Sequence, residues 1–174
     1  MSIADDVKAV IRDVPDFPKK GIMFKDITPL LEDGKLFKRG MKTILEHYNK
    51  KSIDKIVGME ARGFITAAVA AYEMEKPFIP IRKKGKLPYK TMRVEYSLEY
   101  GTDILEMHID AIKPGDKVLI LDDLLATGGT AKAVAQLIEQ AKGVVVGMGF
   151  IIELEFLKGK DRLSKYDIFS LVKY

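Results

Sequence analysis

The sequence has no cysteine, which excludes disulfides, thiolate metal sites and cysteine nucleophiles and suits a cytoplasmic protein. Only two histidines are present, His47 and His108, which argues against a metal site built on imidazoles. No apolar run approaches the ~20 residues of a membrane span, and Met-Ser-Ile-Ala-Asp-Asp lacks the basic and apolar character of a signal peptide. No membrane partner is expected. Internal repeats and low-complexity stretches are missing too. An excess of one charge is nearly missing: 29 basic residues stand against 25 acidic ones, a net +4 that anionic small molecules explain without a nucleic acid. What remains is a chain of 174 residues, 47% hydrophobic and 31% charged, which predicts a soluble globular protein with one domain over 1–174.

One stretch organises the rest. Val118 to Leu121 is a short unbroken apolar run, as in a strand buried on both faces of a parallel sheet. Asp122 and Asp123 follow, where that strand should end. Then Leu124-Leu-Ala126 leads into Thr127-Gly128-Gly129-Thr130, and a helical pattern begins with Ala131, Val134, Ala135, Ile138 and Ala141 on one face. Glycines allow close approach of an anion, and the free N–H groups of a helix's first turn bind one. Thr127 and Thr130 add hydroxyl donors. Ionised carboxylates only accept hydrogen bonds, so two of them beside a phosphate cradle suit a ligand with hydroxyls next to its phosphate, such as a ribose phosphate. Gly-Gly alone would be an ordinary strand-to-helix turn; the whole run is more specific. It is neither a Walker A loop nor G-x-G-x-x-G.

Along the chain, residues 2–13 predict a helix with Ser2 and Asp5 at capping-box spacing, stopped by an irregular segment from Pro15 to Gly21. Phe24 lies in the Gly- and Pro-bounded strip that follows and, on its own, reads as a core or staple residue. A helix is expected over 36–48, a strand over 55–59, and then Glu60-Ala-Arg62-Gly63 as a second polar turn opening a small-residue helix. A strand over 77–81 ends in Arg82-Lys83-Lys-Gly-Lys86-Leu-Pro-Tyr-Lys, the densest positive run in the chain. Alone it could be a solvated loop. As a third polar loop at the carboxyl end of a parallel strand, it lies where open α/β sheets bind ligands. Residues 93–100 and 103–109 read as an antiparallel pair turning at Tyr100-Gly101, within which Glu99 is by itself a surface carboxylate. Strands over 144–152 and 168–172, the latter at an edge, complete an α/β fold: a mainly parallel sheet flanked by helices.

The run from Asp122 to Thr130 closely resembles the phosphoribosyl-pyrophosphate (PRPP) motif of type I phosphoribosyltransferases, and its Leu-Leu-Ala insert resembles the adenine phosphoribosyltransferases. Gly21-x-x-Phe24-Lys25-Asp-Ile, Glu60-Ala-Arg-Gly-Phe64 and Ser97-Leu-Glu-Tyr-Gly101 match the wording of the same family. The resemblance extends from Pro15 to the last residue. It implies a small N-terminal hood at about 1–35, a flexible hairpin at about 83–110, a homodimer, and Mg²⁺ with no firm protein ligand. By the same resemblance Phe24 stacks on adenine, Met23 offers backbone contacts and Lys25 stands where many relatives carry Arg. Arg62 and Gly63 hold pyrophosphate with Arg82, Lys83 and Lys86, some of them reaching a neighbouring subunit. Asp122 and Asp123 hold the ribose, and Ala126 to Thr130 hold the 5′-phosphate.

Relatives acting on 6-oxopurines usually place an acid immediately before the Thr-Gly. Ala126 stands there in this sequence. The N7 proton must then be managed from elsewhere, with Glu99 on the hairpin, next to Tyr100, as the natural acid/base, and Leu124 packing on the base opposite Phe24. The implied reaction is adenine plus PRPP giving AMP and pyrophosphate. A phosphoribosyltransferase for another purine such as xanthine, or a PRPP-binding regulator without activity, remains open.

Overall fold

The capping box expected at Ser2 and Asp5 is formed in the computed structural model, which describes residues 2–97 and 102–174. The Ser2 N–H donates to Asp5 at 2.9 Å, and Asp5 N–H donates to the Ser2 hydroxyl oxygen at 3.2 Å, opening α1 (Ile3–Val10). The helix stops short of Asp13 because the next residues are claimed by a sheet: β1 (Arg12–Pro15) pairs antiparallel with β2 (Met23–Asp26), with Val14 opposite Phe24. The segment expected to be irregular thus begins inside a two-stranded ribbon. A five-residue helix, α2 (Thr28–Glu32), follows with Pro29 in its first turn. It is too short to show a hydrophobic period. Asp33, whose carboxylate accepts from Lys35 and Leu36 N–H, starts α3 (Gly34–His47).

Alternating strands and helices then build the main sheet: β3 (Lys55–Met59), α4 (Gly63–Glu73), β4 (Phe78–Lys83), the hairpin β5 (Thr91–Ser97) and β6 (Thr102–His108), β7 (Lys117–Leu125), α5 (Gly129–Gln140), β8 (Val144–Glu153) and β9 (Ile168–Lys173). Two short 3₁₀ turns, Glu155–Leu157 and Gly159–Leu163, join β8 to β9. The order is β5-β6-β4-β3-β7-β8-β9, parallel from β4 through β9 and extended by the antiparallel hairpin beyond β4. The mainly parallel α/β sheet and the edge position of the last strand are as expected.

The central strand explains the unbroken apolar run. Leu119 and Leu121 pack with Ile44, Ala67 and Ala70 from α3 and α4, whereas Val118 and Ile120 pack with Val134 and Ile138 from α5. The expected end of that strand is corrected. Pairing with β8 continues past the apolar residues, Leu124 against Ile152 and Leu125 against Glu153, so Asp122 and Asp123 lie inside β7 and not at its tip.

Candidate active site

Parallel pairing of β3 with β4 and β7 brings three strand ends together, and the polar loops that follow them border a cavity of about 400 Å³. Its wall includes Glu60, Ala61 and Arg62 after β3, Lys83 at the end of β4, and the whole run from Asp122 to Ala131. Tyr96 and Asp103 close it from the hairpin.

The helix-opening turn has the geometry its glycines predict. Gly128 caps α5 with φ +77°, no side chain occupies the cap, and Lys132 N–H is the helix's first return to the Gly128 carbonyl at 3.0 Å. The N–H groups of the first turn are therefore available to an anion in the cavity. Tyr96, whose phenol is pushed up by burial, lines the cavity with Thr130 of this turn.

The two acids are held differently. Arg62 donates Nε–H to Asp123, which is 4% exposed. Asp122 accepts from the Asp123 backbone N–H at 2.9 Å. Burial, then repulsion from Asp123, holds the Asp122 carboxyl well above the usual carboxylate range. Gly63 is beside it: a Cβ there would come within 2.5 Å of Asp122 Oδ1. Two carboxylates with strained electrostatics in one cavity can accept from neighbouring hydroxyls or share a cation.

Glu60 is a hub that the residue pattern did not single out. It accepts from Lys86 Nζ at 2.6 Å, from Lys83 N–H at 3.1 Å and from Arg82 Nε and Nη2 at 3.3 Å each. The Lys86 contact leads in lowering its pKa to about 2. Arg82 and Lys86 thus meet the cavity through Glu60, while Lys83 lines it and pairs with Asp103 at 3.1 Å. Tyr96, Asp103 and Glu60 were all missed. The signal for Glu60 existed in its place beside Arg62, since the register that sets Met59 opposite Ile81 brings it to Arg82.

Among the residues predicted for the site, Arg62, Lys83, Asp122, Asp123, Leu124, Ala126, Thr127, Gly128, Gly129 and Thr130 are brought to one cavity. Phe24 is a step away: the Arg62 guanidinium carbon lies 5.1 Å from its ring centroid, and Phe17 meets it edge-on at 5.0 Å. Met23 is half exposed, with its backbone in the ribbon opposite Pro15. Lys25 is turned elsewhere, its ammonium 2.6 Å from Asp13 and 3.8 Å from the Tyr174 ring centroid. Glu99 and Tyr100 lie outside the described residues.

A phosphoribosyl transferase domain matches residues 29–173. Adenine phosphoribosyltransferases from Syntrophotalea carbinolica and Kosmotoga olearia are each 55% identical, over 98% and 97% of this chain and 99% of theirs. The crystal structure of adenine phosphoribosyltransferase from Thermoanaerobacter pseudethanolicus superposes with a TM-score of 0.96 at 48% identity, covering 99% of this chain and all of that one. The Saccharomyces cerevisiae enzyme, complexed with an imino-altritol bisphosphate and adenine, gives 0.91 at 36% identity over 97% of this chain and 98% of that one. With the acid pair, the helix-opening turn and the Arg62 loop on one cavity, this kinship places the chain among the adenine phosphoribosyltransferases.

Proposed function

We propose that the chain condenses adenine with PRPP to give AMP and pyrophosphate. The observation that carries this reading is the single cavity walled by Asp122, Asp123, the turn from Ala126 to Thr130, and Arg62. As the C1′–O bond to pyrophosphate lengthens, positive charge grows on the ribose and negative charge on the leaving group, as in glycoside chemistry. Adenine N9 then forms the new bond to C1′. Asp122 and Asp123 hold the ribose hydroxyls, and the N–H groups and hydroxyls of Ala126 to Thr130 hold the 5′-phosphate. Arg62 and the Arg82–Lys83–Lys86 loop, anchored by Glu60, hold the departing pyrophosphate. Gly63 leaves room for Asp122 to stay in place.

The base is read by the hood, with Phe24 stacking on adenine, Met23 offering backbone groups to its edge and Leu124 packing opposite. Mg²⁺ fits this donor set, because two crowded carboxylates and a polyphosphate are the oxygen ligands it takes. When bound it supplies charge neutralisation of the pyrophosphate. Glu99, followed in sequence by Tyr100, takes the acid/base role that the alanine at 126 leaves open. Glu99→Gln is expected to slow the chemical step in single-turnover experiments by at least about tenfold. An unchanged chemical rate would end that assignment. We further take the chain as one domain acting as a homodimer in the cytoplasm, since the basic loop can serve a neighbouring subunit and cysteine is absent.

The decisive experiment follows PRPP consumption with adenine, hypoxanthine, guanine and xanthine, with and without Mg²⁺. Turnover is expected with adenine and Mg²⁺, falling sharply when the metal is chelated. Preference for xanthine would reassign the base, and tight PRPP binding without AMP formation would make the chain a regulator.

A further inference from the structure

The ribbon β1–β2 carries Phe24 but has no core of its own: no residue of either strand is buried. Buried Ile11 and Ile27 anchor its two ends, and between them its position rests on a few side chains. Phe24 is met by Arg62, as described above. On the neighbouring residue the contact is with the end of the chain's last strand. Lys25, only 11% exposed, points its ammonium at the Tyr174 ring, with Asp13 as counter-ion from the paired strand.

Tyr174 is itself firmly held. Its N–H donates to the Glu153 carbonyl at 3.0 Å, and its carbonyl accepts from Glu155 N–H at 2.9 Å. A second ammonium, Lys8 from α1, lies 4.5 Å from the same ring and donates to the Lys173 carbonyl at 2.8 Å. One aromatic ring thus joins α1 and β2 to the carboxyl end of β8, next to the cavity wall that β8 supports.

We propose that Tyr174 is a positioning residue for the purine: by holding Lys25 it fixes β2, so that Phe24 is presented where adenine stacks. The proposal rests on the adenine reading given above. The attraction requires the face of an aromatic ring, because a cation is drawn to the ring's quadrupole and not to apolar volume as such.

That requirement makes the role testable. Tyr174→Leu keeps apolar volume without a ring and is expected to raise KM for adenine about tenfold, the scale of a partly desolvated cation–ring contact. KM for PRPP and the turnover number at saturating adenine should stay within about twofold, since the contact acts on the base subsite alone. Tyr174→Phe should restore the wild-type values. Lys25→Met should show the same split, and the double variant Tyr174→Leu/Lys25→Met should fall short of the two single effects combined, because the Lys25–Tyr174 contact is lost in both. Lys25→Met also serves should Tyr174→Leu fail to fold. An unchanged adenine KM in either single variant, or equal rises in both KM values, overturns the proposal. If the wild-type chain forms no AMP from adenine, the functional reading itself has failed; if it forms AMP and only the variants are silent, the fault lies with Tyr174.

Discussion

Asp122→Asn is expected to raise the melting temperature while lowering kcat/KM for PRPP by at least about a hundredfold, the loss of one or two charge-assisted hydrogen bonds to the ribose. The first half follows from the electrostatics. Burial and the Asp123 charge both oppose ionisation of Asp122, so its pKa in the folded chain lies above the ordinary 3.8. Between that ordinary value and the raised one, the folded chain binds more protons than the unfolded chain. Stability therefore falls as pH rises through this interval and stays reduced above it. Asparagine carries no charge and keeps an oxygen for the Asp123 N–H that now donates at 2.9 Å. The stability gap between variant and wild type should open as pH rises from acid and then level off. Calorimetric melts across the range, with and without PRPP, check this. The ligand should narrow the gap, because ribose hydroxyls and a bound cation relieve the wild-type pair alone. A variant that melts lower than wild type at every pH would show that the carboxylate stabilises the fold.

The half of this cavity built from the acid pair and the helix-opening turn was legible because it is local. An apolar run, two acids and a glycine-threonine turn lie within thirteen consecutive residues, and the strand-then-helix period around them sets them near one junction. The fold class was legible for the same reason, since the strands and longer helices of the main sheet declare themselves by their own patterns. What escaped was set by partners distant in sequence. β7 runs on through Asp122 and Asp123 because β8 continues beside it, and nothing in the acids themselves announces this. Glu60 reads as a strand-end carboxylate until β3 and β4 pair and deliver Arg82 and Lys86 to it. For Lys25 the resemblance named a position in the base segment and no partner. Once β1 pairs with β2 in register, Asp13 stands opposite Lys25, and its ammonium has a partner.

Gly159 is the residue with the least warning and the second large expected effect. It opens the second 3₁₀ turn after β8, and its backbone lies against the turn from Ala126 to Gly128. A Cβ on Gly159 would stand 2.2 Å from the Ala126 carbonyl oxygen and 3.1 Å from the Gly128 nitrogen. In return, a Cβ on Gly128 would come within 2.5 Å of the Gly159 carbonyl oxygen. Every atom in this contact is backbone, so no side-chain rotation can relieve a methyl group there. Nor can the segment easily lift away. Lys160 is anchored 2.8 Å from Glu153, whose residue is 4% exposed, and Leu163 is fully buried. The turn from Ala126 to Gly128 is therefore expected to move. Gly159→Ala is expected to cost about 1–3 kcal/mol of stability through overpacking. It should also weaken ribose 5-phosphate binding and kcat/KM for PRPP about a hundredfold, since the cradle's N–H groups are displaced by something near an ångström. Gly34→Ala, where a Cβ would meet nothing within 4 Å, is the matched control and should leave phosphate binding unchanged. The two readouts separate a packing defect from a binding defect. A Gly159→Ala protein that melts lower but binds ribose 5-phosphate like wild type would mean that the segment from Glu155 to Leu163 yields and the phosphate turn holds its own shape. Loss of binding at a temperature where the variant is fully folded would place the constraint on the turn, and would make a glycine distant in sequence part of what shapes the phosphate cradle.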